Sequence, residues 1–151
     1  MAEFTNVATQ NVALNNALAF NSSIPCNKGY VLHEDGTGNF YLRGCTPNCF
    51  ARYQITFNGN IAIPEGATEI TPIAVAIAVD GETRQASISE ISPTLIDAYG
   101  NVTSTAIVTV PKGNSRTVSV RYVDATVDDA ATTPTPSIEV KNANLTITRI
   151  A

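Results

Sequence analysis

Residues 51–57 read ARYQITF, and their alternation decides the fold. Ala51, Tyr53, Ile55 and Phe57 fall on one side of an extended chain, and Arg52, Gln54 and Thr56 on the other. Successive side chains of a strand point to opposite faces, so period two with one polar side marks a half-buried antiparallel strand. The pattern recurs in TVSVRYV (117–123), where Val118, Val120 and Tyr122 oppose Ser119 and Arg121. It recurs again in TSTAIVTVP (103–111), where Ala106, Val108 and Val110 oppose Thr105 and Thr109. Helical periodicity is nearly absent. Turn chemistry separates the runs: VDGE, VPKGN, EDGTG, PEGA, and the Asn-Gly of FNGN (57–60), read here as a hairpin turn. Eight to ten short strands at this spacing predict an antiparallel β-sandwich or jelly roll.

Two stretches depart from simple alternation. In IAVAIAV (73–79), Ile73, Val75, Ile77 and Val79 share one face and Ala74, Ala76 and Ala78 the other, so both faces expect cover. The large face fits the core. The alanine face admits close approach of a neighbouring subunit or, alternatively, of a loop or the N-terminal segment of the same chain. In PSIEVKNANLTITRIA (136–151), Ile138 and Val140 stand on even positions, Leu145 and Ile147 on odd ones. One regular strand cannot turn both pairs inward, so a bulge is expected over 142–144, within a central, buried terminal strand. Residues 88–100, ISEISPTLIDAYG, read as a connector, and 125–137, ATVDDAATTPTPS, as a surface loop.

Composition narrows the function classes. The 151 residues fit one domain, with 1–23 as an N-terminal arm or first strands and 24–151 as the main body. Charged residues make up only 15%, against an average of about 25%, which suits sheets packed face to face or a surface partly covered by partners. The net charge is -4 and no Lys/Arg cluster occurs, so nucleic acid is not an expected partner. The longest apolar run has seven residues, well short of the ~20 a spanning helix needs. MAEFTNVATQ has neither the basic nor the apolar part of a signal peptide, so synthesis without export is expected.

Chemistry-bearing residues concentrate in CNKGYVLHEDGTGNFYLRGCTPNC (26–49), which holds all three cysteines and the single histidine. A disulfide from Cys26 to Cys49 or Cys45 would staple the base of a hairpin. Free thiols and a zinc set of the three cysteines with His33 are the alternatives. His33 stands beside the turn as an exposed hairpin residue, and no nucleophile–base–acid set accompanies it. Asp124, Asp128 and Asp129 form an acidic loop without the spacing of a calcium-binding EF-hand. The sequons at Asn21, Asn101 and Asn144 are what an Asn/Thr-rich chain contains by chance. No phosphate-binding glycine loop, G-x-S-x-G or H-E-x-x-H occurs. No enzyme activity, cofactor or metal is therefore expected.

The order GYVLHEDGTGNFYLRG, FARYQITFNGNIAIP, ITPIAVAIAVDGE, VTVPKGNSRTVSVRYVD, IEVKNANLTITRI resembles the tumour-necrosis-factor-like, or complement-type, jelly-roll domains over about residues 24–150. That resemblance implies an all-β antiparallel jelly roll that assembles as a homotrimer, with no catalytic residues. MAEFTNVATQNVALNNALAF and IPCNKGYVLHEDG also resemble small virion accessory proteins of Firmicutes tailed phages. This second resemblance implies a capsid decoration or head-fibre protein in the virion, bound to the major capsid protein or another virion protein. Ala74, Ala76, Ala78, Leu145 and Ile147 are the expected oligomer contacts. A glycan- or receptor-binding module is the competing expectation, with Tyr99 and the loop 124–129 as its candidate residues.

Overall fold

The computed structural model describes residues 1–24, 29–125 and 134–151. Among these, twelve strands and one 3-10 turn follow one another: β1 (Ala2–Asn6), β2 (Gln10–Ala13), β3 (Ser22–Ile24), β4 (Val31–His33), β5 (Phe40–Arg43), β6 (Phe50–Ala62), β7 (Ile73–Val79), β8 (Glu82–Thr83), the turn Gln85–Ser87, β9 (Ser89–Ile91), β10 (Gly100–Pro111), β11 (Ser115–Val123) and β12 (Ser137–Arg149). They form two antiparallel sheets. The first runs β10-β6-β12-β1-β3, with β2 also on β12. The second runs β4-β5-β11-β7-β8, with β9 also on β7. Tyr53, Ile55 and Phe57 of β6 and Leu145 and Ile147 of β12 meet Val75, Ile77, Val118, Val120 and Tyr122 of the second sheet in one core.

The terminal strand is central, as its apolar content requires, and it carries the expected irregularity. Its register against β6 shifts between Lys141 and Asn144, and Asn142 takes a φ of 52°. The extra residue lets Ile138 and Val140 before it, and Leu145 and Ile147 after it, all face the core. On the opposite side of β12, β2 pairs over 137–140 and β1 over 143–147, so the bulge falls where one partner strand hands over to the next.

The hairpin expected at Asn58-Gly59 does not form. Both residues sit mid-strand in β6, paired continuously with β10 from Phe50 to Ile61. Phe57, Gly59 and Ile61 are buried in alternation with Asn58 and Asn60, so the flanking pattern simply continues. Gly59 lies opposite the bulge, and the ring of Phe57 folds over it: a Cβ there would stand 2.8 Å from that ring. Pairing on both sides outweighs the local turn preference. VDGE does turn, with Asp80 at φ 51° and Gly81 at φ 85° joining β7 to β8.

Residues 1–23, expected as an arm or as first strands, form first strands and do not project as an arm. Phe4, Val12, Leu18 and Phe20 are buried in the chain's own core. After β2 the segment crosses to the second sheet, where the Leu18 amide donates to the Val120 carbonyl and the Asn15 amide to that of Tyr122. It thereby occupies the edge of β11 beyond the end of β5. The other edge problem is solved by Ser87. β8 covers Ala78 and Val79, β9 covers Ile73 to Val75, and between them the Ser87 hydroxyl accepts the Ile77 amide at 2.9 Å.

Candidate functional site

The histidine hairpin is architecture. His33 stacks on Phe40 with ring centroids 4.2 Å apart and meets Phe4 edge-on at 5.0 Å. Its Nδ1 lies 3.0 Å from the Asn39 carbonyl and its Nε2 3.1 Å from the Phe20 carbonyl. Both ring nitrogens face backbone oxygens, so neither is turned toward a substrate or a metal. His33 is half-buried rather than exposed, and it ties the β4–β5 hairpin to the N-terminal segment.

Cys45 and Cys49 are free and exposed, at the two ends of the β5–β6 loop. The loop is pinned from outside: Arg149 donates to the Cys45 carbonyl at 2.8 Å, and the Lys112 amide donates to that of Cys49 at 3.0 Å. Cys26 lies outside the described residues, and so does any pairing with it. Asp128 and Asp129 are outside them too. Among the described residues no three His, Cys, Asp or Glu side chains gather as a metal site, and no helix is long and apolar enough to cross a membrane.

The expected partner face of β7 is already covered. Ala74, Ala76 and Ala78 are at most 1% exposed, and Ile88 and Ala125 pack on Ala74, Ala76 and Val123. Leu145 and Ile147 point between the sheets. An interface using these five side chains would first have to strip off the chain's own cover. Tyr99, a candidate glycan platform, is engaged as well. Its hydroxyl donates to Glu139 at 2.9 Å and its ring lies 4.0 Å from the Lys141 ammonium. Burial, then the Glu139 hydrogen bond and charge, push its phenol up to about 12.

One open surface is the outward face of the first sheet. Gln54, Thr56, Thr105, Ile107, Thr146 and Thr148 sit at its middle, across β10, β6 and β12. None is ionisable, and Ile107 is 57% exposed. Toward one end a polar ladder stiffens it: Asn101 donates to Asn58 at 2.8 Å and Thr103 to the same oxygen at 3.3 Å. Asn144 donates to Glu3 at 2.6 Å.

A second feature, invisible to periodicity, is a cleft where β6 leaves its sheet and the chain enters β12. The loop 66–69, Thr71 and residues 134–136 line about 370 Å³ of space. Thr71 is 3% exposed and its hydroxyl has no hydrogen-bond partner. The opposite wall is fixed, because the buried Tyr122 hydroxyl donates to the Thr135 carbonyl at 2.6 Å.

No known family model matches the sequence, and no curated protein matches it. Solved structures do. The globular domain of zebrafish complement 1qA overlaps 96% of this chain and 94% of its own, with a TM-score of 0.58 at 12% identity. Eiger TNF from S. frugiperda overlaps 100% of this chain and 92% of its own, with a TM-score of 0.62 at 10% identity. The fold is the complement C1q and TNF jelly roll. The C-terminal domain of the sugar-binding protein EclA overlaps more loosely, with a TM-score of 0.42 at 16% identity over 95% of this chain and 79% of its own. The complement and TNF likenesses do not support a phage origin.

Proposed function

We propose that the chain is a non-enzymatic structural protein of a phage virion, of the capsid decoration or head-fibre kind. It self-associates as a trimer and binds the major capsid protein or another virion protein. The observation that supports self-association is the uncharged middle of the first sheet's outward face, with Ile107 left 57% exposed upon it. A surface that must stay single in water ordinarily carries interspersed charge. The middle of this one carries hydroxyls, one amide and one isoleucine, with Glu3 beside Thr146 and Arg52 beside Thr109 at its margins, and a like surface can supply the hydrogen bonds that its polar groups need on burial. The trimer and the virion follow from the two family resemblances of the sequence.

Light scattering across a concentration series tests the reading. A stable particle near three times 15.9 kDa is expected. Ile107→Glu, which puts a carboxylate at the middle of the face without touching the core, is expected to reduce it to one. A wild-type chain that stays single at every concentration overturns self-association. Co-sedimentation with capsids tests the virion role, and failure to bind them leaves that role without support.

A further inference from the structure

We propose that the end of the sandwich holding Arg43, Arg52, Lys112 and Arg149 is the surface by which the chain seats on an acidic protein partner. It rests on the virion reading in one respect: it names the end that meets the capsid protein or other virion protein. The sequence has no run of basic residues, and the fold assembles one. Arg43 closes β5 opposite Ser115, and Arg52 lies near the start of β6 opposite Thr109. Lys112 sits in the β10–β11 turn, where its amide donates to the Cys49 carbonyl at 3.0 Å. Arg149 ends β12 and donates to the Cys45 carbonyl at 2.8 Å. Four of the chain's nine Lys and Arg residues thus meet around the loop 44–49.

Among the described residues no acid side chain pairs with these four, since the single ion pair joins Arg116 to Asp80. Residues 36–64, 98–123 and 140–151, which supply the strands and turns of this end, contain no Asp or Glu. Arg43, Arg52 and Lys112 are exposed, and Arg149 is half-buried. Carboxylates mark the other end. β6 and β11 both run away from the basic end, so Glu65 and Glu69 follow the far end of β6 and Asp124 the far end of β11. A chain of net charge -4 therefore has one basic pole. The neighbouring side chains favour a protein over a polyphosphate. Phe50 and Ile150 are 38% and 47% exposed at the same end. The Arg52 guanidinium lies 4.7 Å from the Phe50 ring centroid, and that of Arg149 4.1 Å from the Tyr30 ring. Arginine and aromatic residues are enriched where protein interfaces are buried. A nucleic-acid backbone rewards a denser basic stripe, with roughly six to ten contacts, and would run on toward the acidic end. A compact acidic patch with an apolar centre answers both features. Its carboxylates accept from the guanidinium forks and the lysine, and its apolar part covers Phe50 and Ile150.

The test titrates the full-length, isotope-labelled protein with poly-L-glutamate, with single-stranded oligo-dT, and with vesicles of phosphatidylcholine and phosphatidylglycerol. Poly-L-glutamate stands in for the acidic patch. It is expected to bind in about 50 mM NaCl and to be released by about 500 mM, as screening removes the attraction. Amide shifts in NMR spectra are expected at residues 43–52, 112–113 and 149–151. Arg43→Gln and Lys112→Gln suit the test because both side chains are exposed and neither belongs to the first sheet's outward face. Each is expected to weaken binding about threefold and the pair about tenfold, with Tm unchanged. Glu65→Gln, at the other end, is expected not to weaken it. No binding of poly-L-glutamate overturns the proposal. So do shifts that map to the sheet faces, full binding by the double variant, or tighter binding of oligo-dT or the vesicles. Capsid co-sedimentation that the double variant retains in full places the virion contact elsewhere and overturns it too. If the wild type binds poly-L-glutamate as expected but does not co-sediment with capsids, the pole stands and the virion reading falls.

Discussion

Tyr122 donates its hydroxyl to the Thr135 carbonyl inside the core, where the ring is fully buried. Tyr122→Phe is expected to lower stability by about 1–2 kcal/mol, because the carbonyl loses its donor in a dry site. Burial, and secondarily the charge of Asp124, hold the phenol up at about 12 against an ordinary 10.0. The folded chain thus keeps a neutral phenol where the unfolded chain would ionise. The associated stability is complete below about pH 10 and is lost as pH rises toward 12. Denaturant titrations along that alkaline limb should show a shallower fall for Tyr122→Phe, with Tyr99 responsible for part of what remains. Asp80 behaves in the opposite sense. The Thr117 amide and then the Arg116 guanidinium, 2.9 Å and 2.7 Å away, lower its carboxyl below the usual 3.8. Its contribution is present above 3.8 and disappears as pH falls through the lower folded value. Asp80→Asn keeps the left-handed turn and should cost under about 1 kcal/mol at neutral pH, since the ion pair is exposed. The gap between variant and wild type should close in acid; a constant gap would mean the charge contributes nothing.

Elements were legible wherever a pattern lay within one continuous stretch. The parity change between Ile138/Val140 and Leu145/Ile147 foretells the bulge, because side-chain direction in a strand is fixed by counting. Asn142 at φ 52° is the residue that absorbs it. Asn142→Gly should therefore be near neutral, while Asn142→Ala should cost about 1 kcal/mol or slightly more in equilibrium unfolding, since only glycine and asparagine tolerate that conformation cheaply. Equal stability of the two variants would show that the bulge relocates. The Asn58-Gly59 dipeptide misleads for the complementary reason. Its turn preference is local, whereas β10 and β12 pair with β6 from distant parts of the chain. There glycine serves to admit the Phe57 ring, so Gly59→Ala should cost about 1–3 kcal/mol by overpacking, with no gain from a straighter strand. Cover of the alanine face by a loop of the same chain was one of the two expectations, but which residues provide it, like the Thr71 cleft, was hidden for a third reason. Ile88 and Ala125, or loop 66–71 and residues 134–136, come from aperiodic connectors whose meeting only the closed sandwich determines.

At the scale of the molecule, the question is which outward face is free to meet a partner. The two sheets differ. The second buries Ala74 and Ala76 under Ile88 and Ala125, fills its edge strand gaps with Ser87 and residues 15–18, and leaves Leu32 and Tyr41 exposed on β4 and β5. The first presents an uncharged middle with Ile107 outward. Two glutamate substitutions separate these faces. Ala76→Glu forces a carboxylate into a site with no exposure in the single chain, so it is expected to cost more than about 3 kcal/mol and to lower Tm sharply even in dilute solution. Ile107→Glu replaces a side chain that is mostly in water, so the single chain should unfold within about 0.5 kcal/mol of wild type while the assembled mass falls. Scanning calorimetry and light scattering on both variants read the two effects independently. If Ala76→Glu instead keeps its Tm and loses only assembled mass, the Ile88 cover opens on association and β7 becomes the interface after all. If Ile107→Glu keeps the full mass, the first sheet's face meets something other than a second copy of this chain.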